Sequence, residues 1–284
     1  MNMKLYSTVR RLLSATPFIY IFLFLIIPML VLLRLSFVEG ALPSGGGFTS
    51  QHYQDFLSDP YYMGLFGNTF YIGFVTAIIS LFLGFPVAYS MARLSARKRL
   101  WRLLIVIVPL LLSIIVLILG WLIILGKNGL LNSILYDLNL IKTTKSLLFN
   151  EMAVILVLIQ QYIPFMIISI MTNVMHVDPV LERAASSLRA DRLTTFTKII
   201  IPLCMPGIFS GFTLVFILTV AAYITPRIIG GGKVGMLGSF IYQNVMITLN
   251  WPLAAAAAIM LIITTMVIVK LMSAGIGRYF GVRL

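Results

Sequence analysis

Charge is scarce in this chain, and negative charge scarcer still. Only 10% of its 284 residues are ionic, with 8 Asp or Glu against 21 Lys or Arg. An ordinary soluble domain carries about a quarter charged residues, so that class is excluded, and a mean hydropathy of +1.04 agrees. Histidine occurs twice, as His52 and His176, without a companion cluster of His, Asp or Glu. That leaves no constellation for a metal site or an intramembrane hydrolytic centre. The single cysteine, Cys204, falls in an apolar run. It excludes an intrachain disulfide and reads as a small buried hydrophobe. No Gly-x-x-x-x-Gly-Lys-Ser/Thr is present; Gly230, Gly231, Gly232 and Lys233 lack its context and read as a flexible loop.

What is present is long apolar runs, near 17–37, 68–92, 101–125, 152–174, 199–223 and 253–273. Each is long enough for a helix across a hydrocarbon core of about 30 Å, which takes roughly 20 residues. The runs are continuously apolar and do not alternate with period two, which removes a β-barrel. The expected fold is therefore all-α and integral to the membrane, with six spans in one transmembrane domain over 1–284. The first run, with Lys4, Arg10 and Arg11 before it, is too long for a secretory signal core and is expected to be a retained span.

The net charge of +13 sits in the short connections, so it reports topology and gives no reason to expect nucleic acid. The N-terminus, the 93–102 link, the 175–198 link and the C-terminus carry 3, 5, 4 and 3 Lys or Arg. The opposite side carries Lys127, Lys142, Lys145, Arg227 and Lys233, and Arg34 lies in the first run. The positive-inside rule then puts both termini in the cytoplasm. The loop 38–66, with Gly45, Gly46 and Gly47, has no Lys or Arg, and Leu130–Leu140 predicts a short interfacial helix.

The link 175–198 is polar and helical. Asp178-Pro179 predicts a helix start; Leu181, Ala184, Ala185 and Leu188 fall on one face, and Glu182, Arg183, Arg189 and Asp191 on the other. The stretch from Asp178 to Pro206, DPVLERAASSLRADRLTTFTKIIIPLCMP, resembles the signature loop of permease subunits in ATP-binding-cassette importers. That pattern is Glu-Ala-Ala, three residues, Gly, nine residues, then Ile-x-Leu-Pro. Ala184, Ala185, Ile199 and Pro202 match at the same spacing. Arg183 stands at the Glu position, Arg189 at the Gly position and Ile201 at the Leu position, with Glu182 next to the displaced carboxylate. An arginine forced to positive φ would cost about 1 kcal/mol or more, so ordinary helical or turn dihedrals are expected at Arg189.

The resemblance continues in GLLNSIL at 129–135, LLFNEMAVILVLIQQYIPFM at 147–166, YITPRIIGGG at 223–232 and NWPLAAA at 250–256, and is strongest to spermidine/putrescine-type permeases. It implies the type I importer fold, with the link acting as a coupling helix through Glu182, Arg183, Ala184, Ala185, Leu188, Arg189, Asp191 and Pro202. It also implies a second permease subunit, two ATPase subunits holding ATP and Mg, and an extracytoplasmic solute-binding protein at a bacterial cytoplasmic (inner) membrane. No cofactor and no catalytic residue is expected on this chain. The solute it implies is a polyamine, with opines, phosphonates, thiamine or amino-acid-like solutes as alternatives.

Polar and aromatic residues inside the runs are the candidates for a solute path: Asn68, Tyr71, Trp121, Gln160, Gln161, Tyr162, Thr219, Tyr223 and Thr225. The alternative for each is a hydrogen bond that holds helices together. Arg227, after Pro226, reads as a loop anchor. A secondary transporter driven by an ion gradient would be expected to show carboxylates inside the runs or an inverted repeat, and the sequence offers neither.

Overall fold

A computed structural model describes residues 17, 20, 22–41, 46–141, 143 and 146–280. Their regular structure is helical, without a strand among the described residues; the nearest feature is an isolated antiparallel bridge between Val38 and Phe48. Lys4, Arg10, Arg11, Gly45, Lys142, Lys145 and Arg283, which entered the sequence reading, lie outside the described residues.

A π-helical turn at Phe22–Ile26 runs into α1 (Ile27–Leu35). Then come α2 (Gln51–Ser58), α3 (Pro60–Ala92), α4 (Ala96–Leu111), α5 (Ile114–Leu125) and α6 (Leu130–Asp137). They are followed by α7 (Glu151–His176), α8 (Pro179–Ser187) and α9 (Arg192–Thr195), which passes through a π-turn at Phe196–Ile200 into α10 (Ile201–Val220). The last three are α11 (Ile224–Ile229), α12 (Leu237–Met246) and α13 (Trp251–Phe280).

Among the described residues, five stretches are long and apolar enough to cross a bilayer: Pro60–Ala92, Ile114–Asp137, Glu151–His176, Arg192–Val220 and Trp251–Gly275. The described part of the first run, Phe22–Leu35, is shorter; most of residues 17–21 lies outside the described ones. The third run is not one helix. Leu112 and Ser113 take extended ψ values of 146° and 133° between α4 and α5. Pro109, inside α4, removes one amide donor and crowds the carbonyl four residues before it, which weakens the helix just ahead of the break.

The chain divides into two compact units, one of residues 1–63 with 240–263 and one of 64–239 with 264–284. In the first, the Ser36 and Tyr53 hydroxyls share a hydrogen bond of 2.5 Å. Phe56, Tyr61, Tyr62 and Phe240 form an aromatic cluster with centroids 4.4–6.4 Å apart. In the second, α7 starts at an N-cap in which Asn150 accepts the Ala153 amide at 2.9 Å. Its buried Val154, Val157 and Leu158 join Ile72, Ile118, Ile229 and Met236 in the core.

Helices α7 and α10 approach closely because Gly207 and Gly211, four apart, present no side chain there. A Cβ on Gly207 would stand 2.5 Å from Asn173 Cβ, and one on Gly211 2.9 Å from Met166 Sδ. Small residues at that spacing allow close packing of helices in lipid, where apolar burial gives no driving force. Ser169 adds a bond of 2.6 Å to Ser210.

Candidate functional site

Two regions of the larger unit carry the residues singled out by sequence, and α8 is the first. Asp178 caps it by accepting the Val180 amide at 2.8 Å, with Pro179 as its first residue. At its other end the Arg189 amide donates to Ser186 and the Ala190 amide to Ala185, both at 3.0 Å. Those two bonds are the Schellman arrangement, which requires a left-handed residue between them. Arg189 is that residue, at φ 59°. The expectation of ordinary dihedrals at Arg189 is thus corrected: the backbone bonds that end the helix impose the turn, and arginine adopts it without glycine's freedom.

The faces of α8 also differ from the pattern reading. Ala185 is buried and Glu182 is turned inward, its side chain 25% exposed. Leu181, Arg183, Ala184, Leu188 and Arg189 face outward, Leu188 at 84% exposure. Glu182 accepts the Tyr89 hydroxyl at 2.8 Å and pairs with Arg93. Asp191 caps α9 by accepting the Thr194 amide at 3.2 Å. Hydrogen bonding from Thr194 holds the Asp191 carboxyl below the ordinary carboxylate range. Pro202 directly follows the π-turn Phe196–Ile200 inside the continuous helical stretch Arg192–Val220, where it has no amide to donate to the preceding turn.

The second region surrounds the break between α10 and α11. A cavity of about 250 Å³ is lined by Ile114, Tyr162, Leu218, Ala221, Ala222, Tyr223, Ile224 and Thr225. Three path candidates, Tyr162, Tyr223 and Thr225, are in its wall. Gln161 accepts the Thr225 hydroxyl at 3.0 Å, and Gln160 accepts the Trp121 indole N–H at 3.2 Å. Asn68 is instead tied to the Gly235 carbonyl at 2.8 Å, Tyr71 is 54% exposed, and Thr219 is buried with its hydroxyl unpartnered. None of those three lines the cavity.

Sequence reasoning missed the apolar wall residues, which no polarity signal marks, and it missed Tyr89 and Arg93. The available signal for these two was weak: a tyrosine one helical turn before the arginine that ends an apolar run.

Long apolar helices, with a capped polar helix between two of them and a cavity at a helix break, define a multi-pass membrane protein. The family follows from comparison. Residues 80–276 match the model of the binding-protein-dependent transport system inner membrane component, and the chain belongs to that family as a permease subunit of an ATP-binding-cassette importer. It is 30% identical over 252 residues to the spermidine/putrescine transport system permease protein PotB of Haemophilus influenzae, covering 88% of each chain. To the PotB of Escherichia coli it is 32% identical over 246 residues, 86% of this chain and 89% of that one. Its fold resembles a chain in the crystal structure of a bacterial alginate ABC transporter in complex with an alginate pentasaccharide-bound periplasmic protein, with a TM-score of 0.73 at 18% identity over 95% of this chain and 96% of that one.

Proposed function

We propose that this permease passes a polyamine such as spermidine or putrescine, delivered by an extracytoplasmic binding protein and driven by ATP that partner subunits hydrolyse. The observation that carries the solute is the likeness to two PotB permeases along nearly nine-tenths of the chain. The cavity is compatible with it: tyrosines, a threonine hydroxyl and helix-break backbone line it, and cation–π contacts contribute about 0.5–2 kcal/mol each. Contacts of that size suit a conduit, since tight binding midway would trap the solute.

The partners and their placement complete the proposal. Exposed Leu181, Ala184 and Leu188, flanked by Arg183 and Arg189, offer an apolar face with a basic rim to an ATPase groove, and ATP and Mg belong to that subunit. A second permease, of different sequence, completes the pair. The excess of Lys and Arg on one set of connections favours six spans in a bacterial cytoplasmic membrane with both termini inside.

The test is import of labelled spermidine and putrescine into liposomes holding the permease pair, the ATPase and the binding protein. Accumulation that requires both ATP and binding protein is expected. Accumulation that follows an ion gradient without ATP would refute the proposal, and ATP-driven import that rejects both polyamines would refute the solute. Arg227, exposed on α11 two residues beyond Thr225, favours an anionic or zwitterionic solute as the second reading, and such solutes enter the same assay as competitors.

A further inference from the structure

Arg93, the residue after α3, reaches three elements with one guanidinium. Nη1 donates to the Val177 carbonyl at 2.9 Å, where α7 has just ended, and Nη2 donates to Glu182 Oε1 in the first turn of α8. Tyr89, one turn earlier on α3, donates its hydroxyl to the other oxygen of the same carboxylate. Its ring lies 5.8 Å from the guanidinium carbon. Phe196 closes the group, edge-on to Tyr89 and to Phe85 at centroid distances of 5.9 and 5.2 Å. Only about a fifth of Arg93's side chain and a quarter of Glu182's are exposed (21% and 25%).

The covalent links of α8 to its neighbours are not helical. Val177 and Asp178 are extended, with ψ of 115° and 124°, and beyond the left-handed Arg189 the chain is extended again at Asp191, with ψ of 164°. No continuous helix therefore carries a displacement of α8 into either neighbour along the chain, whereas the side-chain cluster joins it to α3. The far end of that cluster is α3, which packs without side chains at Gly73 against Val220 and Phe216 of α10, and at Gly84 against Met166 of α7.

We propose that Tyr89, Glu182 and Arg93 form a latch that carries the displacement of α8 directly into α3, so that they are positioning residues for energy coupling. The proposal rests on the importer reading above. It requires arginine at 93, because the carbonyl and the carboxylate are held by two different nitrogens of one planar fork, where lysine has a single nitrogen. It also assigns Glu182 inward, to this chain, and leaves Arg183 to face the partner.

The test uses the whole reconstituted complex, with Tyr89→Phe, Glu182→Gln, Arg93→Lys and the paired exchange Arg93→Glu with Glu182→Arg. Three quantities are read for each: co-purification of the ATPase, ATP hydrolysis, and solute imported per ATP. Co-purification and hydrolysis are expected to persist. Import per ATP is expected to fall about 5-fold or more in Glu182→Gln and Arg93→Lys, the low end of ordinary coupling factors, and less in Tyr89→Phe, which retains the ring against Phe196. The paired exchange recovers part of the loss. Unchanged import per ATP in both Glu182→Gln and Arg93→Lys overturns the latch. So does a loss of ATPase co-purification that parallels the loss of import in every variant, Tyr89→Phe included, because the carboxylate would then be serving the docking face. Failure of the importer reading is separable, since it would appear as ATP-independent import by the unsubstituted complex.

Discussion

Replacing Arg189 by glycine isolates the strain at the end of α8. The residue sits at φ 59° with an exposed side chain, so the change removes no buried surface. Relief of the left-handed backbone contributes roughly 1–2 kcal/mol. The extra freedom of glycine in the open chain offsets about 0.5–1 kcal/mol of it, leaving a net gain of about 0.5–1 kcal/mol. Hydrogen exchange at the Ala190 amide reads this directly, because that amide donates across the Schellman turn to Ala185 at 3.0 Å. Its exchange through local opening should slow about 2- to 5-fold in Arg189→Gly, since 1.4 kcal/mol is a factor of ten. Arg189→Ala, which removes the charge and keeps a Cβ, should not slow it. If Arg189→Ala protects Ala190 as well as Arg189→Gly does, the effect belongs to charge, and the strain argument fails.

Gly207→Ala should destabilise the protein by about 1–3 kcal/mol and lower its melting temperature in detergent more than Gly211→Ala. The new methyl meets Asn173 Cβ at 2.5 Å in the first case and Sδ of the unbranched Met166 side chain at 2.9 Å in the second. Gln161→Leu should cost about 0.6–2 kcal/mol, because the buried Thr225 hydroxyl loses its acceptor; import kinetics should show a raised KM, and a KM equal to the parent's would remove Gln161 from the site. The Asp191 carboxyl, held low by Thr194, contributes stability above its unfolded pKa of about 3.9, and that contribution is lost as pH falls through the lower folded value. A carboxyl titration by NMR should therefore place Asp191 below the ordinary range, and Thr194→Val should bring it back toward that range. Near neutral pH the carboxyl is ionised in both states, so this group makes stability independent of pH there.

The long helices were legible because apolar runs of that length have few other solutions in lipid. The start of α8 was legible too, since Asp-Pro both caps and pre-sets a first turn. The break at Leu112–Ser113 was not, because hydropathy is blind to dihedrals and proline is tolerated within membrane helices. The inward turn of Glu182 was hidden for a different reason. Pattern reading assigns carboxylates to water, and here two donors, 89 and 93 residues away in sequence, receive one instead. At the cavity, Tyr162, Tyr223 and Thr225 stood out as polar groups among apolar ones, whereas Leu218, Ala221 and Ala222 look like any lipid-facing residues until the chain bends around them.

That bend explains the order of residues on α7. Successive helical positions point about 100° apart, so Gln160, Gln161 and Tyr162 serve three directions. The first reaches Trp121 on α5, the second Thr225 on α11, and the third the cavity. Two helices are thereby tied to α7 by single amide side chains. The break between α10 and α11 keeps its own bonds, with the Ala221 amide on Ile217, the Ala222 amide on Thr219 and the Arg227 amide on Tyr223 at 3.0–3.1 Å. Irregular backbone at membrane depth is tolerated only where protein buries it or where it lines a cavity. Here the irregular residues Ala221, Ala222 and Tyr223 are themselves cavity wall. Thr225, further along the same wall, is held from α7 by one hydrogen bond in place of an ion pair, which fixes that part of the wall without adding a charge to it.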